Sequence, residues 1–195
     1  EVRGISEQDM EPLPNATANL YEGSTKVKSV QTGSDGTFSF RLEMNKQYVV
    51  EIEKNGLISK RISFNTTIPD EETGTWMNEF SMGLIRKCSG VDYSVLNDPV
   101  DKVSFDPKRR EFISDKNYVS GMRPRIENMM IKNDQCLLSS YESAVKKGDQ
   151  LAAQKKFDEA IAAYKEADAI FPTETLPDKK IAEINSLVNK QQNSA

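Results

Sequence analysis

The chain contains no histidine among its 195 residues. A Ser-His-Asp or Cys-His catalytic relay, a histidine-ligated zinc site and a histidine pH switch all require an imidazole side chain. Because none is present, none of these sites can form within this chain.

Other sequence marks of catalysis and ligand binding are also missing. The sequence has no Gly-x-Gly-x-x-Gly or Gly-Lys-Ser/Thr segment that would cradle a phosphate, and no serine lies in a Gly-x-Ser-x-Gly context. Asp and Glu number 30, so a pair of carboxylates does not by itself indicate acid–base catalysis. Asp98, Asp101 and Asp106 lack the spacing of a calcium-binding loop, which favours solvated loop acids. We therefore expect that the chain is not an enzyme, and we predict no catalytic, cofactor-binding or metal-binding residues and no cofactor.

Neither strong basicity nor a long apolar run is present. The 26 basic and 30 acidic residues give a net charge of −4, which provides no electrostatic attraction to nucleic acid or an anionic membrane. The run Lys108-Arg109-Arg110 is flanked by Asp106 and Glu111, which predicts a turn or strand end rather than a nucleic-acid surface. No stretch approaches the roughly 18 apolar residues of a membrane span. We expect no nucleic-acid partner and no membrane span in this chain.

Cysteine is scarce, with only Cys88 and Cys136. Two cysteines are too few for a disulfide scaffold. A bridge between them would close a loop of about 49 residues and stabilise the fold by roughly 4 kcal/mol in the chain-entropy model. Two buried free thiols are the favoured interpretation, and a bridge is the alternative.

Residues 1–88 have the alternating pattern of β-strands. Phe38, Phe40 and Leu42 alternate with polar residues, as in a strand with one buried face. Similar alternation occurs in four other stretches: Ala16–Leu20, Tyr48–Ile52, Ile58–Phe64 and Trp76–Leu84. Turn-forming segments such as Gly33–Gly36 and Asn55-Gly56 separate these stretches. About seven short strands at hairpin spacing predict a β-sandwich.

One segment of this region departs from the pattern. Between Ser24 and Thr32 the alternation is lost between Val27 and Val30. A lost period of two is typical of a β-bulge or of an edge strand with little burial. We expect one of these two features there.

Several of these stretches resemble the carboxypeptidase regulatory-like domains over about residues 2–87. The resemblance rests on Gly4-Ile5, Pro12–Thr17, Leu20–Gly23 and above all Thr32–Phe40. It implies a seven-stranded Greek-key β-sandwich of the transthyretin-like (prealbumin-like) kind. The metallocarboxypeptidase domain that gives the family its name is absent, so no peptidase activity is implied. Hydroxyisourate hydrolysis, which the transthyretin-like fold can also host, resembles a histidine-dependent activity and is excluded here.

Residues 89–124 are predicted to be a junction. The segment contains three prolines that interrupt regular structure, Pro99, Pro107 and Pro124. It also contains apolar residues, among them Val103 and Phe105, that could pack on a neighbouring element. From about Arg125 the apolar residues recur at helical spacing, which predicts an amphipathic helix. These residues are Ile126, Met129, Met130, Leu137, Leu138 and Tyr141.

The remaining chain resembles a tetratricopeptide repeat (TPR). The resemblance is carried by Ala144, Gly148, Leu151, Phe157, Ala160, Tyr164, Ala167 and Pro172. It departs from the usual pattern at Lys155, where the turn normally has glycine. Leu176-Pro177-Asp178 predicts the start of a further helix, because proline suits the first turn. We therefore expect a small TPR-like α-helical domain over 125–195.

A repeat hairpin offers a groove that can accept a peptide or a helix. In such a groove Glu142, Val145, Asp149 and Ala152 would lie at the surface of the first helix. Ordinary solvated positions, or contacts with the sandwich, are the favoured interpretation. These four residues are therefore not assigned as a site.

The pairing of the two domains resembles components of bacterial cell-envelope assemblies. It implies a protein-interaction scaffold in the periplasm or on the cell surface, bound to another envelope protein and belonging to a surface-secretion, gliding or outer-membrane complex. The alternative is a glycan-binding or adhesive module that uses the sandwich loops, which would need exposed aromatics; Trp76 is the one tryptophan and its parity predicts that it points inward. The chain opens at Glu1 without a leader, so we expect a processed product whose signal or anchor lies elsewhere. The oligomeric state stays open.

Overall fold

The computed structural model describes residues 1–8 and 11–192. The chain divides into two compact units, residues 1–130 and 131–195. The first unit holds all the described strands and the second is helical. The domain boundaries expected after residues 88 and 124 stay a prediction, and residues 193–195 of the expected helical domain lie outside the described part.

Ten strands form among the described residues, because apolar and polar residues alternate along most of them. Their bounds are β1 Val2–Gln8, β2 Glu11–Pro12, β3 Thr17–Glu22, β4 Thr25–Gln31, β5 Thr37–Phe40, β6 Gln47–Glu53, β7 Lys60–Asn65, β8 Asn78–Leu84, β9 Asp101–Asp106 and β10 Glu111–Ser114. The expectation of seven strands over 1–88 was too low, since eight are described there. The additional strand is the two-residue β2, which is too short to show alternation.

The strands form two mixed sheets. In the four-stranded sheet, β1 pairs antiparallel with β2 and β5 and parallel with β8. The six-stranded sheet has the order β10-β9-β7-β6-β3-β4, in which only β7 and β9 run parallel. The predicted class of β plus α is confirmed.

One hydrophobic core is shared by both sheets. Phe38 and Phe40 reach it from the four-stranded sheet, while Val50 and Ile52 reach it from the six-stranded sheet. The alternate residues of the same strands are exposed or half-buried, except Glu51, which is buried and accepts hydrogen bonds from Tyr21 and Arg61. Burial of the apolar side chains at these positions therefore decides which face of each strand points into the core.

The predicted junction contributes strands to the sheet. Val103 of β9 pairs with Phe64 of β7 and is buried in the shared core. A 3-10 turn, Ser94–Asn97, precedes these strands and buries Leu96. Leu96 packs with Ile58 and Met129 in a second, smaller cluster of the first unit.

Three helices follow, α1 Lys116–Ala153, α2 Phe157–Ile170 and α3 Leu176–Gln192. Asp115 caps α1, since its Oδ1 accepts the backbone N–H groups of Asn117 and Tyr118, each at 3.0 Å. The helix runs through Pro124, so it begins earlier than the pattern from Arg125 predicted. None of the helices among the described residues combines the length and the apolar composition that a bilayer span requires.

The helical unit has its own core. Tyr164 and Ala160 of α2 pack with Ile184 of α3, and Val145 of α1 lies against them. Leu138, which the helical spacing placed on the buried face of α1, is 51% exposed instead. That assignment was wrong, because spacing identifies a helix face but not how much of the face a neighbour covers.

Candidate functional site: the open edge of strand β4

Strand β4 forms one end of the six-stranded sheet. It pairs with β3 along one side, and no strand pairs with its other side among the described residues. Six of its seven residues, all except Val30, are exposed. The backbone N–H and C=O groups along this edge are therefore placed to accept a further strand.

The pairing of β4 contains a β-bulge. Leu20 pairs with Lys28, whereas the next residue, Tyr21, pairs with Lys26, so Val27 has no partner in β3. The side chain of Val27 is 49% exposed. The bulge and the edge position are the two features that the loss of alternation predicted for Ser24–Thr32, and the structure confirms both.

Because of the bulge, the two lysines of β4 lie on opposite faces of the sheet. Leu20 is buried in the core and Tyr21 lies on the outer face, because successive residues of a strand point to opposite faces. Lys28 lies beside Leu20 and Lys26 beside Tyr21. The two lysines would share a face in a regular strand, but here they lie on opposite faces.

Each lysine of β4 lies over an aromatic ring. The Nζ of Lys26 is 5.5 Å from the centroid of Tyr21, and the Nζ of Lys28 is 5.9 Å from that of Phe40. Both distances are within the range of a cation–π interaction. Such an interaction holds the ammonium group near the strand without neutralising its charge.

A polar network covers the outer face of β3, β6 and β7 next to this edge. Arg61 Nε donates to Glu51 Oε1 at 2.8 Å, and the Tyr21 hydroxyl donates to Glu51 Oε2 at 3.0 Å. Arg61 also donates from Nη1 to the carbonyl of Asn97 at 3.1 Å. Burial, followed by the hydrogen bond to Glu51, raises the pKa of Tyr21. A cleft of about 290 Å³ beside the β3–β4 turn is lined by residues that include Tyr21, Arg61 and Asn97.

The four-stranded sheet also presents an open groove on its outer face, with a volume of about 740 Å³. Ser39 and Ser81 lie along it, Ile5 is 41% exposed there, and Arg3 pairs with Glu1 at 3.0 Å. Short polar side chains of this kind are usual on the solvated face of an antiparallel or mixed sheet. The groove therefore has no group that points to a particular ligand.

Four helical residues were considered for a peptide groove, and three of them pack or form hydrogen bonds within the second unit. Val145 and Ala152 pack on its core. Asp149 Oδ1 accepts from the Tyr164 hydroxyl at 2.7 Å and from Lys180 Nζ at 2.9 Å. These hydrogen bonds, that from Lys180 first, lower the pKa of Asp149. Glu142 alone of the four is exposed without a described partner.

Trp76 is held within an aromatic cluster. Its ring packs edge-on against Phe105 at 5.5 Å and Phe112 at 5.9 Å, and its Nε1 donates to the carbonyl of Arg110 at 3.0 Å. The strand predicted to begin at Trp76 begins instead at Asn78. A tryptophan ring that packs against two phenylalanines does not form the flat exposed surface that stacks on a sugar.

The bonding state of the two cysteines differs from the favoured interpretation of two free thiols. Cys88 and Cys136 are both disulfide-bonded, and the chain has no other cysteine. The expectation of two free thiols was wrong, because their wide separation in the sequence gave no sign of the pairing.

No protein-family model and no curated protein match this chain. Among solved structures, the chain is similar to 3-chlorocatechol 1,2-dioxygenase from Rhodococcus opacus 1CP, at 9% sequence identity and a TM-score of 0.32. The match covers 44% of this chain and 58% of the dioxygenase chain. A likeness at this level carries no argument about the function of this chain.

The expectation that the chain is not an enzyme is nevertheless corrected. It rested only on the absence of sequence motifs, and a missing motif does not exclude catalysis. The expectation is therefore withdrawn. The low similarity assigns no activity in its place.

Proposed function

We propose that the chain is a protein-interaction scaffold of a bacterial cell-envelope assembly, such as a surface-secretion, gliding or outer-membrane complex. In this proposal it binds another envelope protein through an extended segment that adds to the edge of β4. The proposal combines the resemblance of the sequence with one feature of the first unit, the open edge described above.

The proposed architecture is a carboxypeptidase regulatory-like Greek-key sandwich followed by TPR-like helices. Consecutive strands β4 and β5 lie in different sheets, which supports a Greek-key connection. In the helical unit, the close approach of Tyr164 to Gly148 supports the repeat, since the resemblance places a small and a large residue at these positions.

The open edge of β4 is the observation that carries the proposal. Strand addition uses main-chain hydrogen bonds for affinity and side chains for specificity. A seven-residue strand that is exposed along most of its length leaves room for a partner on both of its faces. A scaffold can therefore bind a segment of another protein here without rearranging its own core.

The disulfide supports an extracytoplasmic location. Disulfides persist in oxidising compartments such as the periplasm and the cell surface, and are rare in the reducing cytosol. Both cysteines of the chain are bonded. The alternative of a glycan-binding module has less support, because Trp76 is engaged by Phe105 and Phe112.

The test is affinity capture from native envelope extract, read by mass spectrometry, with three forms of the full chain. The wild type is compared with Val27→Pro, which disturbs the β4 edge at a residue unpaired with β3, and with Glu142→Lys, which alters the exposed helical position. Circular dichroism and thermal melting check that each variant is folded. Hydrogen exchange of residues 25–31 in the captured complex provides a readout that needs no variant.

A stoichiometric protein partner that is kept by Glu142→Lys, is lost with Val27→Pro and protects residues 25–31 is the expected result. A partner lost only with Glu142→Lys would move the site to the helices. Retention on polysaccharide without any protein partner would contradict the scaffold proposal.

A further inference from the structure

Strand β4 is basic in an acidic chain. Its seven residues, Thr25–Gln31, include Lys26 and Lys28 and no acidic residue. The whole chain has a net charge of −4. The open edge of the six-stranded sheet therefore has a local charge opposite to that of the chain.

The charges of both lysines are uncompensated within the described part of the chain. Neither Nζ forms an ion pair with a carboxylate oxygen within 4.0 Å there. The Nζ of Lys26 lies over the Tyr21 ring and hydrogen-bonds with that side chain, and the Nζ of Lys28 lies over the Phe40 ring. Lys46 provides the contrast, because it pairs with Glu22 at 3.1 Å and with Glu43 at 2.6 Å. Carboxylates from a partner are thus the missing counter-charges at the β4 edge.

Lysine at a sheet edge commonly prevents unwanted pairing, because a neutral strand that docks there must desolvate the ammonium groups. The same electrostatics favour a strand whose carboxylates pair with those groups. Edge lysines therefore discriminate between strands by charge rather than excluding all of them.

The bulge adds a geometric requirement. Lys26 and Lys28 lie on opposite faces of the sheet, since they are beside Tyr21 and Leu20. Neighbouring residues of an incoming strand also point to opposite faces. Two consecutive acidic residues can therefore reach both lysines, whereas two acids separated by one residue lie on the same face and reach only one.

We propose that the open edge of β4 binds an extended protein segment that carries two consecutive acidic residues, one paired with Lys26 and the other with Lys28. This inference rests on the proposed function and specifies the chemistry of the partner segment.

The test uses short fluorescein-labelled peptides of one host sequence, rich in threonine and valine. One carries Glu-Glu at its centre, a second carries Glu-Thr-Glu, and a third carries Gln-Gln. Binding to the full chain is measured by fluorescence anisotropy, and hydrogen exchange of residues 25–31 reports where the peptide lies.

The Glu-Glu peptide should bind about tenfold more tightly than the Gln-Gln peptide, as two partly exposed ion pairs would give. The Glu-Thr-Glu peptide should fall between them, and binding of the Glu-Glu peptide should slow exchange in residues 25–31. Lys26→Glu/Lys28→Glu should abolish the preference. The matched variant Lys116→Glu/Lys132→Glu, which makes the same charge change at two exposed helical lysines, should leave it intact.

Three results would overturn the inference. Equal affinity of all three peptides, with slowed exchange in residues 25–31, would reject charge selection while leaving strand addition in place. Equal loss of affinity in both double variants would indicate general electrostatic attraction. Failure of every peptide to slow exchange in residues 25–31 rejects the inference, and if no envelope protein is captured either, the proposed function fails with it.

Discussion

The aromatic ring of Tyr164 occupies the space beside the Cα of Gly148. A Cβ atom at residue 148 would lie 2.5 Å from Cε1 and 2.8 Å from Cδ1 of this ring. The ring is 1% exposed, and its hydroxyl is hydrogen-bonded to Asp149. Helices α1 and α2 therefore approach closely because residue 148 has no side chain.

Gly148→Ala should lower the free energy of unfolding by about 1–3 kcal/mol, because the buried ring of Tyr164 must shift. Gly121→Ala is the matched control, since it lies in the same helix and its Cβ would meet nothing within 4 Å. That variant should raise stability by about 0.5–1 kcal/mol through helix propensity. Urea denaturation of both variants checks the pair, and equal effects would contradict the steric explanation.

Lys155→Gly should stabilise the helical unit by about 0.5–1 kcal/mol. Lys155 lies between α1 and α2 with a φ of 60°, a left-handed conformation that glycine adopts without strain. Thermal melting measures the gain. Gln154→Gly is the control, and should be destabilising because Gln154 does not have a positive φ.

Asp149→Asn should reduce stability at neutral pH by less than about 1 kcal/mol, since Lys180 then lacks a charged partner and the pair is largely exposed. The pKa of Asp149 in the folded protein is lowered from its ordinary value of 3.8. Its contribution is therefore fully present above pH 3.8 and is lost as the pH falls through the lowered folded pKa. Denaturation of both proteins between pH 7 and pH 2 should show the difference vanish at the acidic end. A difference that stays constant with pH would show that the charge of Asp149 is not involved.

Gly36→Ala should destabilise the first unit more than Gly56→Ala. Both glycines have a positive φ, 72° and 80° respectively, so alanine costs about 1–2 kcal/mol at either position. At Gly36 the added Cβ would also lie 2.5 Å from the carbonyl oxygen of Ser6, whereas at Gly56 it meets nothing within 4 Å. Chemical denaturation should give a further loss of about 1–3 kcal/mol for Gly36→Ala. Equal losses would mean that the backbone conformation alone decides the cost.

Reduction of the disulfide should lower the free energy of unfolding by roughly 4 kcal/mol, because the unfolded chain regains the freedom of a loop of about 49 residues. Urea denaturation with and without a reductant measures this loss. The double variant Cys88→Ser/Cys136→Ser should be less stable to a similar degree and should no longer respond to the reductant.

The local patterns of the sequence predicted several strands within residues 1–88, but not β9 and β10 in the predicted junction. Phe38, Phe40, Val50 and Ile52 are buried as their alternation indicated, because a period of two together with burial leaves one choice of face. The segment now known as β4 was predicted to be a bulge or an edge because the same period was lost there. The lost alternation of apolar and polar residues therefore indicated the position of the candidate site in the sequence.

Features that depend on distant residues were harder to predict. The parallel pairing of β7 with β9 brings together Ile62 and Asp101, which no local pattern connects. The bonding of Cys88 and Cys136 was missed for the same reason. The opposite directions of Lys26 and Lys28 follow from one unpaired residue, Val27, and a regular alternation would have placed both on one face.

The parallel pairing of β1 with β8 has a consequence for how the protein folds. Val2 at the start of the chain pairs with Asn78, and the register continues to Gln8 and Leu84. β1 can pair with β2 and β5 once residue 40 has been made, but its second edge stays unpaired until the ribosome has released the chain beyond residue 84. Contacts between such distant residues slow folding and leave strand edges exposed during synthesis. Strand β1 therefore keeps one open edge until β8 has been made, so a delay in translation before residue 84 should increase aggregation of the nascent chain.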